Sequence, residues 1–161
     1  MIKRIKQFYI NLTDRYGEKD DLFVRSILDD YEYSLFSKLS GSEKKHSVRV
    51  ANEIKRISRE KNISDTLLIK AALLHDIGKS RKRINIIDKS IIVILNSITS
   101  GKLRNINTAK VQCYYNHSEY SYDMLKDYED NERLLYIIKN HHRDIYDDEE
   151  MMIFQFADDK S

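Results

Sequence analysis

The chain has 161 residues, of which 41% are hydrophobic and 34% charged, and it contains four Gly, no Pro and no Trp. This composition excludes a disordered or membrane-embedded chain, and the scarcity of helix breakers predicts an all-α fold in one compact domain. The formal net charge of +2 is too small to indicate a nucleic-acid or membrane partner. With a single cysteine, Cys113, and no signal-peptide pattern after Met1, we expect a cytoplasmic protein.

The first 40 residues are predicted to form a helical cover on a core made by residues 41–161. Apolar residues recur at helical spacing over Ile2–Tyr16, and Gly17 is a plausible C-cap for that helix. A second helix is predicted from about Asp21 to Leu39, with its apolar side chains on one broad face. We expect these helices to pack on the core or to pair with a second copy of the chain, which would give a homodimer.

A capping box predicts the start of a third helix, because Ser40 can cap the first turn while Glu43 reaches back from three positions on. His46 lies on one helical stripe with three apolar residues, so it should point inward. These residues are Val50, Ile54 and Ile57. An inward histidine by itself is more often a satisfied core residue than a metal ligand, and both interpretations stay open at this point.

An almost uniformly apolar helix is predicted to begin near Ser64 and to end in an ionisable pair, His75-Asp76. Because this helix has no polar face, it should run through the middle of the protein. A buried, unpaired His and Asp would be costly, and a metal ion is a partner that both can share, although a purely structural His-Asp hydrogen bond fits equally well. Gly78 is expected to end the helix with a positive φ, and Lys79 brings an ammonium close to the pair.

A short basic run follows this pair and contains Arg81, Lys82 and Arg83. It could attract a phosphate group or be an ordinary solvated loop. A further helix, apolar on most faces, is predicted over about Asp88 to Thr99.

Three more histidines lie where predicted apolar stripes begin or end. His117 heads the stripe of a helix that continues to about Tyr128. Another helix should start at Asp130-Asn131-Glu132, and His141 and His142 continue its buried side by one turn. Two inward histidines at a helix end are hard to satisfy by packing alone.

The last helix is predicted to begin near Asp147 and to place an aspartate on its buried face. Met151, Phe154 and Asp158 share one stripe of this helix, whereas Asp159 should face solvent. A buried aspartate departs from the usual distribution of charged side chains, so Asp158 becomes a candidate ligand.

The candidate ligands follow one another in an order that resembles a known family. They are His46, His75, Asp76, His117, His141, His142 and Asp158, and they are enough for two metal ions that share a carboxylate. This order resembles the HD superfamily of metal-dependent phosphohydrolases, and Ile77-Gly78 matches the HDIG subgroup. The resemblance extends from about Ser42 to Asp158 and implies an all-helical bundle with a metal site at its centre.

The resemblance also implies a role for each of these residues. One ion would be held by His46, His75, Asp76 and Asp158. The second would be held by Asp76, His117, His141 and His142, which makes Asp76 the bridge. Lys79 matches the lysine with which family members contact a phosphate. The ligand set is similar to that of the HD-GYP cyclic dinucleotide phosphodiesterases, but no Gly-Tyr-Pro follows His142, so cyclic di-GMP is unsupported as the substrate.

These residues indicate hydrolysis of a phosphoester by a phosphomonoesterase or a phosphodiesterase. Two divalent ions, with Fe or Mn as first candidates and Zn, Co or Ni also compatible, would lower the pKa of a water that attacks phosphorus. Asp76 and Lys79 would be catalytic, and Arg81, Arg83 and Arg143 are weaker candidates for phosphate contacts. We expect a small, nucleotide-like substrate. A di-iron oxygenase and a metal-stabilised binding or scaffold protein are the alternatives.

Overall fold

The fold is built from helices joined by short loops over the residues that the computed structural model describes, which are 14–82, 92–93, 95 and 102–161. These ranges contain seven α-helices, two 3₁₀ segments and no strand, so the all-α prediction is confirmed. The α-helices are α1 (Glu18–Arg25), α2 (Asp30–Phe36), α3 (Gly41–Lys61), α4 (Thr66–Leu74), α5 (Ala109–Leu125), α6 (Glu132–Asn140) and α7 (Glu149–Lys160). The 3₁₀ segments are Ile77–Arg81 and Lys102–Asn105. Among the described helices, none combines the length and the apolar character that a membrane span requires.

Helix α4 lies at the centre of the bundle, where it contacts α2, α3, α6 and α7. Six of its nine residues are buried, and each fully buried leucine contributes about 1.5–3 kcal/mol to stability. The prediction that this segment runs through the middle of the protein is therefore confirmed. Lys70 is its one charged residue, and Nζ of Lys70 lies 2.7 Å from Oε1 of Glu32 and 2.8 Å from Oε2 of Glu129. This charged triad ties α2 and the segment after α5 to the central helix.

The N-terminal cover contains two short helices where one long helix was predicted. The prediction over Asp21–Leu39 is wrong because a capping box interrupts it: the Asp29 side chain accepts from the backbone N–H of Glu32 at 2.9 Å, and the Glu32 carboxylate accepts from the N–H of Asp29 at 3.1 Å. Core residues lie on both sides of the break, which is why the apolar periodicity did not reveal it. They are Val24, Leu28, Leu35 and Phe36. The division at residue 40 and the pairing of two copies stay predictions.

Gly17 begins a helix instead of ending one. It is the N-cap of α1 with φ at −131°, and residues 14–16 before it are not helical. The C-cap prediction for Gly17 is therefore wrong, and the part of that predicted helix before residue 14 lies outside the described residues. The predicted helix over Asp88–Thr99 also lies outside them, except for residues 92, 93 and 95, which are helical.

Helix α3 begins where the capping box predicts. The Ser40 side chain accepts from the backbone N–H of Glu43, and the Glu43 carboxylate accepts from the N–H of Ser40 at 2.9 Å. Helices α6 and α7 also begin close to their predicted positions, where the side chains of Asn131 and Asp148 each accept a hydrogen bond at 3.1 Å from a backbone N–H of the first turn.

Gly78 is required for close packing and not for a positive φ. It lies in the 3₁₀ segment that follows α4, outside the left-handed region, so the predicted C-cap role is wrong. A Cβ at Gly78 would lie 2.1 Å from the carbonyl oxygen of His117 and 2.7 Å from the backbone nitrogen of Ser121. The missing side chain therefore lets α5 cross directly over the end of the central helix.

Helix α5 begins at Ala109, so His117 lies in its middle and not at its head. The predicted start was wrong because the buried residues of the first half, Val111 and Cys113, are two positions apart and give little helical periodicity. The buried residues of α5 are Val111, Cys113, His117, Ser121 and Leu125.

Candidate metal centre

The bundle brings the seven candidate ligands together around the end of α4. His75 and Asp76 follow directly after that helix, while the others come from four different helices or their ends. Three overlapping groups of ligand atoms result, and in each group the atoms lie within 4.8 Å of one another. The groups are His46, His75 and Asp76; His75, His141 and Asp158; and His117, His141 and His142.

One half of the centre is formed where α3, α4 and α7 meet. Nε2 of His46 lies 2.9 Å from Oδ1 of Asp158, and Nε2 of His75 lies 3.6 Å from the same oxygen. Oδ2 of Asp76 is 3.4 Å from Nε2 of His75 and 4.0 Å from Nε2 of His46. The four side chains thus surround one small volume with two nitrogen atoms and two carboxylates.

The other half is formed by α5 and the end of α6. Nε2 of His117 lies 2.8 Å from Nε2 of His142 and 3.3 Å from Oδ1 of Asp76. The ring centroid of His141 is 4.0 Å from that of His142 and 5.7 Å from that of His117. Asp76 therefore turns one carboxylate oxygen toward each half of the centre.

Backbone carbonyl groups fix the orientation of three of these imidazoles. Nδ1 of His75, His117 and His141 each lies 2.7–2.8 Å from the carbonyl oxygen of the residue three positions earlier. Because a carbonyl oxygen only accepts hydrogen bonds, Nδ1 carries a proton in each ring. Nε2 therefore points into the centre, and its lone pair is available there whenever the ring is neutral. This arrangement is the one in which a neutral histidine binds a metal through Nε2.

Four of the five histidines are neutral at neutral pH. Burial lowers the pKa values of His46, His141 and His142. Burial, together with the nearby Lys79 ammonium, lowers the pKa of His117 to about 3. Neutral imidazole is the ligating form, so these rings do not have to lose a proton before they can bind a metal.

The carboxylates of Asp76 and Asp158 are both ionised. Burial alone would raise the pKa of Asp76, but the charges of His75 and Lys79 hold it well below its usual value. Burial would likewise raise the pKa of Asp158, but the hydrogen bond with His46 and the nearby charge of His75 lower it. The pKa of His75 is raised in turn, because the two carboxylates outweigh the effect of burial. Lys79 behaves in the same way, since Asp76 raises its pKa against burial.

The donor set fits divalent transition-metal ions. Oδ1 of Asp76 and Nε2 of His141 are buried, and neither has a hydrogen-bond partner among the described residues. Two lone-pair acceptors, Oδ1 of Asp76 and Nε2 of His117, also face each other at 3.3 Å, which is unfavourable unless a cation lies close to both. Ligands at about 2.0–2.15 Å from a common ion are separated by about 2.8–4.3 Å, and the distances between neighbouring ligand atoms fall in this range.

The centre is closed at its base and open on one side. His75, Asp76 and His141 have exposed fractions of only 1–2%. His46, Lys79 and Asp158 retain 14–18% exposure in their side chains. A small solute can therefore approach from the side on which these last groups lie.

His142 is exposed, so the prediction that it lies on the buried side of α6 is wrong. Helix α6 ends at Asn140, and His142 lies in the turn that follows, where much of the residue is open to solvent. Its Nε2 still reaches the 2.8 Å contact with His117 described above. Asp158 is partly buried and Asp159 is exposed, as predicted for the final helix.

The predicted phosphate contacts differ in their placement. The Lys79 ammonium is in direct contact with Oδ2 of Asp76, at the centre itself. Arg81 is exposed, and its guanidinium carbon lies 4.5 Å from the ring centroid of Tyr120. Arg143 is exposed in the turn after α6. Arg83 lies outside the described residues.

Two supporting residues escaped the sequence analysis. The Ser121 hydroxyl accepts from the backbone N–H of Gly78 at 2.8 Å and lies 2.6 Å from the carbonyl oxygen of His75, to which it can donate. Gln155 donates to carbonyl groups in the turn after α6. Ser121 lies one helical turn after His117, but nothing in the sequence shows that the end of α4 packs there.

The fold and the site define a helical domain in which His and Asp side chains that could hold a metal ion gather at the end of the central helix. The comparison with protein families identifies the class more closely, because the family model described as "HD domain" matches residues 44–161. The chain belongs to the HD domain family, and the matched range includes all seven candidate ligands. Neither the curated proteins nor the solved structures include a match to this chain.

Proposed function

We propose that this protein is a metal-dependent phosphohydrolase of the HDIG type, which uses two divalent transition-metal ions to cleave a phosphoester in a small, nucleotide-like substrate. The observation that carries the proposal is the position of Asp76. Its two carboxylate oxygens face separate groups of imidazoles, Oδ2 toward His46 and His75 and Oδ1 toward His117. This is the placement that a carboxylate shared by two ions requires.

We assign the ligands to two sets as the family resemblance implies, although His141 also lies in one group with His75 and Asp158. One ion would be held by His46, His75, Asp76 and Asp158, and the other by Asp76, His117, His141 and His142. Each set combines nitrogen and oxygen donors, which suits Fe or Mn and also accommodates Zn, Co or Ni. The ions, when bound, supply an activated water and offset negative charge on the phosphoryl oxygens.

Other side chains prepare the site for an anionic substrate. Lys79 keeps its proton because Asp76 raises its pKa, so a positive charge is available beside the centre for a phosphoryl oxygen. Phe154 packs against the rings of His75 and His141 at centroid distances of 5.5 and 6.0 Å. It therefore restrains both rings and keeps water away from the base of the site. Arg81 and Arg143 remain candidates for contacts to more distant phosphates.

The test is phosphate release from a panel of nucleotides by metal-free protein reloaded with Mn, Fe, Co or Ni. Asp76→Asn should lower the rate by more than about 100-fold, because it removes negative charge beside both ions. Loss of a group that merely hydrogen-bonds to a metal ligand usually costs about 10–100-fold, and loss of the ligand's charge should cost more. Asp159→Asn is the matched control, since Asp159 is an exposed aspartate next to Asp158 and should leave the rate unchanged.

Two other outcomes would contradict the proposal. If no nucleotide releases phosphate with any of the four metals, the centre does not serve hydrolysis, and a metal-stabilised scaffold becomes the better explanation. If the iron-loaded protein consumes oxygen only when a substrate is present, the centre serves a di-iron oxygenase.

A further inference from the structure

The turn that follows α6 carries two of the proposed ligands but has no helical hydrogen-bond ladder of its own. We call residues His141, His142 and Arg143 the histidine turn. Carbonyl groups at the end of a helix lack intrahelical partners and must be satisfied from elsewhere. In this protein, Nε2 of Gln155 donates to the carbonyl oxygen of His141 at 3.1 Å and to that of Arg143 at 2.6 Å.

The orientation of the Gln155 amide follows from its partners. Both contacts are to carbonyl oxygens, which only accept, so the nitrogen and not the oxygen of the amide faces the turn. Its two N–H groups bind the carbonyl oxygens of the residues immediately before and after His142. Gln155 thereby attaches the histidine turn to α7, the helix that also carries Asp158.

His142 has particular need of such an attachment. It is exposed, so packing restrains its ring less than it restrains the buried ring of His141. Its Nε2 must nevertheless lie 2.8 Å from Nε2 of His117, on a different helix. The backbone of the turn therefore has to be held in place by contacts other than those of the ring itself.

We propose that Gln155 is a positioning residue for the second metal ion, because its amide fixes the backbone on which His141 and His142 are carried. This inference rests on the proposed two-ion centre. Groups that orient metal ligands through hydrogen bonds usually change metal affinity by about 10–100-fold when they are removed. We expect the first ion to be unaffected, because none of the contacts of Gln155 described above involves His46 or Asp76.

The experiment is a calorimetric titration of the metal-free protein with Mn²⁺. Gln155→Met keeps the length of the side chain and removes both donors, and it should weaken the second binding event by about 10–100-fold while the first stays within about twofold. Asn131→Ala is the matched control, because it removes the N-cap at the opposite end of α6 and leaves the histidine turn untouched. It should lower the melting temperature of the metal-free protein and leave both binding events unchanged.

The results separate this inference from the proposed function. If the wild type binds two ions and Gln155→Met binds both with the same affinities as the wild type, the inference about Gln155 is wrong while the proposed function stands. An equal loss of the second ion in Asn131→Ala also overturns it, because the effect would then come from the stability of α6. A wild-type protein that binds fewer than two Mn²⁺ ions overturns the two-ion centre and the inference with it.

Discussion

Replacement of Gly78 by alanine tests how the end of α4 is joined to α5. The new Cβ would lie 2.1 Å from the carbonyl oxygen of His117, 2.7 Å from the backbone nitrogen of Ser121 and 2.8 Å from Cβ of Tyr120. Ordinary contact begins at 3.4 Å, so α5 would have to move away by about 1.3 Å, the difference between 3.4 and 2.1 Å. No flexible side chain can absorb this shift, because two of the three atoms belong to a helix backbone.

The magnitude follows from two contributions. Overpacking a well-filled interior costs about 1–3 kcal/mol. The same displacement stretches the 2.8 Å hydrogen bond from the Gly78 N–H to Ser121, and a buried donor left without its partner costs about 1–3 kcal/mol. We expect Gly78→Ala to lose about 3 kcal/mol, which for a protein of this size is a fall in melting temperature of about 6–12 °C.

The assay is thermal unfolding of the metal-free protein followed by circular dichroism. Gly41→Ala is the matched control, because a Cβ at Gly41 meets nothing within 4 Å and alanine suits the first turn of α3. It should melt at or slightly above the temperature of the wild type. A Gly78→Ala protein that melts within about 2 °C of the wild type would show that α5 does not pack closely against Gly78.

Two further predictions concern buried polar groups. Ser121→Ala should lower the free energy of unfolding by about 2 kcal/mol, because it leaves the Gly78 N–H without an acceptor. Ser47→Ala is the control and should be nearly neutral, because it removes a buried hydroxyl that has no partner among the described residues. Equal losses of stability in thermal unfolding would contradict this prediction. Burial raises the pKa of Glu32 above its usual 4.5 despite the pairing with Lys70, so the stability from this group is present at acid pH and is lost as the pH rises through the folded-state pKa. The melting temperature of Glu32→Gln relative to wild type should therefore rise between pH of about 4 and about 7, and a relative fall would refute the assigned direction.

The parts of the fold that could be predicted depend on residues close together in the sequence. The start of α3 followed from the pair Ser40 and Glu43, which are three residues apart, and the central position of α4 followed from its apolar composition. The break before α2 could not be predicted from periodicity, because side chains on both sides of Asp29 remain in the core. His142 was misplaced because the helical period was extended to a residue two positions beyond Asn140, where α6 ends.

The sequence by itself determined which side chains are available to the candidate metal centre and in what order they occur, because imidazole and carboxylate groups at the ends of apolar stripes are local features. Only the tertiary structure decided that Asp76 faces two groups of histidines, that Gly78 lets α5 approach, and that Ser121 and Gln155 hold the surrounding backbone. Ser121 is 43 residues from Gly78, and Gln155 is 14 residues from His141. Contacts across such distances depend on how the helices pack, and helical periodicity reports only which face of a helix is buried, not what it meets there.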